Sequence, residues 1–230
     1  MRGNFGHAYQ LLTSYFAEVR LVDPDFVFDI QTMSYKDKRF TRCFWCFDPP
    51  KKTYKLLRPV VVIDETFLKG RYRGTLLTTI VIDPSNHIFS LALSITDSET
   101  TESWAYFLEM FGANFYSYDT RFVIISDRNP KIINAVPKVF PFAIHTFCTF
   151  HISNNIKTTL ESMMIAFRMA VEALTCIDFD KDMNVIRNTD PVGLQYILDI
   201  PKETWFNLYI PMSRYVVTLY CPTYHLLYEK

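Results

Sequence analysis

Two acids end apolar runs in this chain. Asp64 follows Val60-Val61-Val62-Ile63, and Asp127 follows Phe122-Val123-Ile124-Ile125-Ser126. Short apolar runs rich in β-branched residues read as buried strands. If the fold brings the two strands together, their carboxylates repel each other unless one is protonated or a cation sits between them. A hard ion such as Mg²⁺ takes one or two carboxylates and fills its shell with water and phosphate oxygens. A pair of such ions activates water or a 3′-hydroxyl and stabilises the leaving oxygen of a phosphoryl transfer. The plainer account is that each acid caps a strand end or a turn. Which account holds depends on whether the acids are neighbours.

A second constellation is Cys148-Thr149-Phe150-His151. C-x-x-H is half of a zinc site, and a buried thiol beside a locally bonded histidine is the simpler account. Cys43 and Cys46 offer no matching half if they lie on a regular strand, because positions three apart then face opposite ways. Basic residues flank the first acid: Lys51, Lys52, Lys55 and Arg58 before it, Lys69, Arg71 and Arg73 after it. Arg128 follows the second. These are candidate contacts to a polyanion or ordinary solvated loop charges.

The elements that must position these residues follow from the pattern. Residues 8–21 place Leu11, Leu12, Tyr15, Phe16 and Val19 at helical intervals, and Asp23-Pro24 ends that helix. Residues 26–30 and 39–47 read as two strands. Residues 59–64, 75–83 and 88–96 read as three more, joined as an antiparallel meander with turn chemistry at Pro84-Ser85-Asn86. The stretch Asp97–Glu102 looks like a helix start with acids in its first turn. Trp104, Phe107, Leu108 and Phe111 then share one apolar face. A strand at 121–126, a short helix opened by Pro130, and a strand at 142–147 complete a β-β-β-α-β-α-β run. From His151 the pattern is helical to about Asp199, with a polar break at Asn188–Pro191. The arrangement predicted is an α/β fold with a mixed sheet of order 3-2-1-4-5, flanking helices and a C-terminal helical insertion. In it the first and fourth core strands run parallel and side by side. Asp64 and Asp127 then sit at adjacent strand ends, about 5 Å apart. The division expected is an N-terminal α+β flanking region (1–58), a core (59–151), and a helical insertion with tail (152–230).

Composition bounds the function. The chain has 230 residues, formal net charge zero and five cysteines. Zero net charge argues against a strongly basic nucleic-acid-binding domain but leaves room for local patches. An odd cysteine count without an apolar leader fits reduced thiols and an intracellular protein. No apolar run is long enough for a helical membrane span.

Several segments together resemble a known family. Val62-Ile63-Asp64-Glu65-Thr66-Phe67-Leu68-Lys69-Gly70 resembles the "D-G-T-H-L-K-G" segment of plant Mutator-like element (MULE, MuDR-type) transposases. Ile95-Thr96-Asp97-Ser98-Glu99 with Ser103-Trp104 and Phe107 resembles "V-D-S-E-N…S-W…F". Ser126-Asp127-Arg128 resembles "S-D-R", and Phe140-Pro141 followed by Cys148 and His151 resembles "F-P…C…H". Glu203-Thr204-Trp205 and Ser213-Arg214-Tyr215 resemble "E-x-W…R-Y". The resemblance implies a ribonuclease-H-like fold and a DDE-type transposase site. Asp64 and Asp127 would be its catalytic and metal-binding acids, with Mg²⁺ or Mn²⁺ as cofactor. Cys148 and His151 would be the signature near the site. Lys69, Arg71, Arg73 and Arg128 would contact DNA. The partner implied is the terminal inverted repeat of a transposon, in the nucleus, with a homo-oligomer as a possible assembly. Position 65 is Glu where the family has Gly, Phe67 stands for a common His, and so does Asn129. The family's third acid follows "R-Y", but the aligned position is Tyr224, and nothing around Glu229 matches. The chain is therefore expected to be a truncated or degenerate core, without the family's N-terminal DNA-binding region and C-terminal zinc knuckle. The alternative is a domesticated, transposase-derived DNA-binding regulator without catalysis, as in the far-red-response transcription factors. An unrelated metal-dependent nuclease or phosphatase of the same fold is a third reading.

Overall fold

The computed structural model describes residues 5–33, 39–47, 59–69, 73–82, 87–115, 121–156 and 161–209. Its centre is one mixed sheet. β1 (Val27–Thr32) and β2 (Phe40–Cys46) form an antiparallel pair. β3 (Val60–Phe67), β4 (Thr75–Ile82) and β5 (Ile88–Thr96) form an antiparallel meander. β6 (Val123–Ser126) runs parallel to β3, and β7 (Ile144–Phe147) parallel to β6. β2 pairs with β5, so the order across the seven strands is β1-β2-β5-β4-β3-β6-β7. The mixed α/β class predicted from the apolar pattern is found. The sheet is wider than the core pattern alone indicates, because the N-terminal strand pair continues it.

Helices cover both faces. Val61, Ile63, Leu77 and Phe44 pack against Trp104, Phe107 and Phe111 of α2 (Thr101–Phe115) and Val136 of α3 (Pro130–Val139). Val62, Val123 and Ile125 point the other way. They pack under α4 (Thr149–Asn155), α5 (Glu161–Glu172), α6 (Cys176–Thr189) and α7 (Pro191–Leu198). Every residue of β6 is buried, as a strand covered on both faces must be, and this explains its unbroken apolar run. α1 (Phe5–Val22) closes the β1–β2 end through Phe16, packed on Phe26 and Cys43. Cys46 belongs to the core beneath α2, on the opposite side of the sheet from Cys43. No helix of the described residues is long and apolar enough to cross a membrane.

Three boundaries differ from the sequence pattern, each for a local reason. Asp64 does not end its strand. β3 runs on to Phe67, with Asp64 opposite Thr78 and Phe67 opposite Thr75. The antiparallel partner β4 keeps pairing after the shorter parallel partner β6 has ended at Ser126. Asp64 therefore lies just past the parallel pairing, not past the strand. Second, of the two residues in the segment able to cap, Ser98 and Thr100, α2 uses Thr100 and starts at Thr101, late in the stretch read as its start. The Asp97 N–H is still bonded to Thr41 O of β2 at 2.8 Å, which holds the backbone in the sheet. The helix then opens on a reciprocal cap: Ser103 N–H donates to Thr100 Oγ1 at 3.1 Å and Thr100 N–H to Ser103 Oγ at 2.8 Å. Third, the helical region after His151 breaks before Cys176 as well as at Asp190. Thr175 caps α6 by accepting from Asp178 N–H, and Asp190 caps α7 by accepting from Gly193 N–H. After α7, Trp205 and Phe206 return to the core against Phe167 and Phe179. Arg71, Arg214, Tyr215, Tyr224 and Glu229 lie outside the described residues.

Candidate functional site

Parallel pairing of β3 and β6 puts Val62 opposite Ile125. Asp64, two residues on in β3, and Asp127, in the loop just past the end of β6, both follow this pair, and the charge of Asp64 reaches Asp127. Alternation directs Asp64 to the face of Val62, under the helices that follow β7. Each carboxylate is held by a nearby backbone donor. Asp64 Oδ1 accepts Glu65 N–H at 3.0 Å, and Asp127 Oδ1 accepts Asn129 N–H at 3.0 Å. Burial pushes the Asp127 carboxyl above the usual carboxylate range. The Asn129 N–H and His151 pull it back, while the charges of Asp64 and Glu99 push it further up.

The turn behind β7 brings Cys148 and His151 to the same place. Cys148 is buried and stands immediately before α4, with His151 in its first turn. Burial disfavours the imidazolium of His151. The hydrogen bond and charge of Cys148 and the carboxylates of Asp64 and Asp127 outweigh this and lift it to about 8. His151 thus faces the acid pair as a cation near neutral pH. Cys43 and Cys46 are elsewhere, and among the described residues no second pair joins Cys148 and His151 in a metal cage.

Two further acids complete the edge, and neither stands out from the strand pattern. Glu65 follows Asp64, so it faces the α2–α3 side. Burial, then the charges of Asp127, Glu99 and Asp64, push its carboxyl up to about 8, partly offset by Asn129. Its Oε2 is buried without a hydrogen-bond partner among the described residues. Glu99 is saturated instead. It accepts from Trp104 Nε1 at 3.0 Å, Asn129 Nδ2 at 2.6 Å and Lys131 Nζ at 2.9 Å. The sequence signal for Glu99 is its place in the Asp97-Ser98-Glu99 segment, outside the helix. For Asn129 it is the Asn-Pro step that opens α3, where its side chain accepts Lys131 N–H. For Glu65 it is only the departure from Gly.

The donor set suits a hard divalent cation in one respect and falls short in another. Two neighbouring carboxylates are what Mg²⁺ or Mn²⁺ takes from a protein while keeping water and phosphate oxygens. With its carboxyl pushed up to about 8, Glu65 is mostly protonated near neutral pH, so the negative charge of the edge rests on the two aspartates. No group of three or more His, Cys, Asp or Glu among the described residues converges as a complete cage. The fit is thus that of an open, two-carboxylate site.

The basic residues divide. Lys69 and Arg73 are exposed at the β3–β4 turn, beyond Asp64, and Arg73 has the left-handed φ of 29°. Arg128 is engaged: its Nη1 donates to Tyr196 OH at 3.2 Å, and its guanidinium lies 5.5 Å from the Tyr196 ring and 5.9 Å from that of Phe147. It clasps α7 to the loop that carries Asp127.

Fold and site define a mixed α/β domain whose paired acids lie where two parallel strands part. The family model of the MULE transposase domain matches residues 60–155, from β3 through α4, a span that contains Asp64, Glu65, Glu99, Asp127, Cys148 and His151. That stretch is similar to the MULE transposase domain, in line with the sequence resemblance. Three curated relatives from Arabidopsis thaliana are similar to the chain. Protein FAR1-RELATED SEQUENCE 2 is 26% identical over 66% of it and Protein FAR-RED IMPAIRED RESPONSE 1 is 21% identical over 67%. Protein FAR1-RELATED SEQUENCE 6 is 23% identical over 86%. The chain spans only 18%, 18% and 29% of the lengths of these relatives.

Proposed function

We propose that the chain is the nucleic-acid-handling core of a MULE-type transposase lineage, of ribonuclease-H-like architecture. Its Asp64–Asp127 edge receives a DNA phosphate together with Mg²⁺ or Mn²⁺. The observation that carries this reading is the parallel register of β3 on β6, with Val62 opposite Ile125 and an acid two residues after each. When bound, the cation would neutralise the two acids and polarise a phosphodiester for attack by water or a 3′-hydroxyl. The protein's own part is to orient. Asn129 N–H fixes one Asp127 oxygen and Glu65 N–H fixes one Asp64 oxygen. Imidazolium His151 adds positive charge beside them. Lys69 and Arg73 extend a cationic turn past the acids, toward the path a DNA backbone would take. DNA ends of the inverted-repeat type are the partner, and the nucleus is the compartment.

A second reading is favoured by the relatives and by the two-carboxylate donor set: a domesticated DNA-binding regulator that keeps the site without catalysis. One experiment separates the two. Mn²⁺ binding, and cleavage of a transposon-end duplex in Mn²⁺, are measured for the wild type, Asp64→Asn and Asp127→Asn. A transposase core binds Mn²⁺ and nicks DNA, and each variant loses at least 100-fold in cleavage, the order expected when charge stabilisation of a transition state is removed. Sequence-specific binding that survives both substitutions, with no cleavage by the wild type, supports the regulator. A wild type that binds neither DNA nor Mn²⁺ refutes both.

A further inference from the structure

We propose that Glu99 is a positioning residue for the Asp64–Asp127 pair: it holds Asp127 in place through Asn129 and is not itself a ligand. The inference rests on the cation reading above. Glu99 lies in the loop between β5 and α2, and its side chain is 4% exposed. Every donor around it comes from an element that frames the site. Trp104 Nε1, from the first turn of α2, donates to Oε1 at 3.0 Å. Asn129 Nδ2, from the residue that caps α3, donates to the same oxygen at 2.6 Å. Lys131 Nζ, from the first turn of α3, donates to Oε2 at 2.9 Å. A buried carboxylate satisfied in this way, with a lysine as counter-ion, has its charge compensated already. Entering a cation's shell would mean breaking those bonds.

What Glu99 does instead follows from Asn129. The Asn129 side chain is pinned at both ends: Nδ2 on Glu99, and Oδ1 on Lys131 N–H at 3.0 Å. With the amide fixed, the backbone of Asn129 is fixed too, and its N–H meets Asp127 Oδ1 at 3.0 Å. The line Glu99–Asn129–Asp127 therefore sets the rotamer of one acid of the pair. Asp64 sits on the stiff β3–β4 ladder, whereas Asp127 lies in a loop just past β6. Asp127 is the acid that needs holding. Outer-shell partners of this kind cost about 10–100-fold in metal affinity when removed.

The test uses the full chain and Mn²⁺ alone, with bound ion counted from the loss of the free Mn²⁺ electron-paramagnetic-resonance signal. Glu99→Gln keeps the shape and removes the charge. Asn129→Ser keeps a residue able to cap α3 and the backbone N–H, but removes the amide link to Glu99. Tyr106→Phe is the control. It breaks a tie of the same helix, α2, to Asp29 of β1 (2.7 Å) without touching this line. Glu99→Gln and Asn129→Ser are expected to weaken Mn²⁺ binding 10-fold or more, and Tyr106→Phe less than 3-fold at a similar loss of melting temperature. If Glu99→Gln does not fold, Asn129→Ser carries the comparison. Wild-type Mn²⁺ affinity in either folded variant, or an equal loss in Tyr106→Phe, overturns the role of Glu99 and leaves the cation reading standing. A wild type that binds no Mn²⁺ overturns both.

Discussion

His145 shows how much a single buried ring contributes on this edge. Its Nε2 lies 2.8 Å from Ser126 Oγ, and the Ser126 hydroxyl donates to Asp127 O at 2.7 Å. The serine proton is spent on that carbonyl, so Nε2 carries a proton and donates to the serine; the neutral ring completes the chain. Burial disfavours the imidazolium and pushes His145 from 6.5 down to about 4. A folded value below the unfolded one gives stability that is intact above pH 6.5 and is lost as the pH falls from there toward 4. At about 1.4 kcal/mol per pKa unit the full loss is about 3 kcal/mol. For a chain of this size that is roughly 6–12 °C in melting temperature. Glu65, whose folded value of about 8 lies above its unfolded one, gains stability over the same range, so the test is the difference: between pH 7 and pH 4 the wild type should lose about 3 kcal/mol relative to His145→Gln in thermal melts. Parallel profiles would remove His145 from the account. The sequence reads residues 142–147 as a strand but does not show the neighbour of His145, because the Ser126 contact is set by the register of β6 on β7.

At the scale of elements, what was legible in the sequence was periodicity, and what was not was the point at which partners stop pairing. The run Val60–Ile63 and the run Val123–Ile125 are apolar because both faces of those strands are covered, so their existence as strands is readable. The extension of β3 to Phe67 is not readable from its own residues, since Asp64, Glu65 and Thr66 are polar. It follows from pairing with β4. The same holds for the joining of β2 to β5, a contact between distant segments that no local pattern encodes. The strands that lead to Asp64 and Asp127 were legible because each is an unbroken apolar run. Glu99 and Asn129 belong to the same edge only through loops, and loops leave little periodic trace, while Glu65 lies in β3 and is marked there only by its polar type. The β3–β4 turn gives a sharp test of this coupling. A Cβ on Gly74 would meet the backbone oxygen of Thr96 at 2.9 Å, closer than real Cβ contacts allow. Thr96 ends β5, just before the loop that carries Glu99. Gly74→Ala should therefore push the turn off β5 and cost about 1–3 kcal/mol, the usual range for overpacking. Urea unfolding measures it, and an unchanged midpoint would show that the turn yields freely.

On the scale of the whole molecule, charge decides how DNA could be held. With 24 basic and 24 acidic side chains the chain has no net charge to attract a polyanion from a distance. The site edge itself is acidic, so any DNA affinity must come from local cations on its rim. Of the basic residues that the sequence singles out, the structure leaves Lys69 and Arg73 exposed at the β3–β4 turn and binds Arg128 to Tyr196. These roles predict different salt behaviour. Each phosphate contact removed lowers the slope of log affinity against log salt by about 0.9. Lys69→Ala with Arg73→Ala should lower it by about two, nearly independently of DNA sequence. Arg128→Ala should leave the slope almost unchanged and instead lower stability by about 1 kcal/mol, through the lost bond and ring contacts. Fluorescence anisotropy on a labelled duplex from 50 to 200 mM salt reads the slopes, and thermal melts read the stability. A steeper loss of slope for Arg128→Ala than for the double variant would reverse the assignment. It would put the DNA path over α7 rather than along the β3–β4 turn.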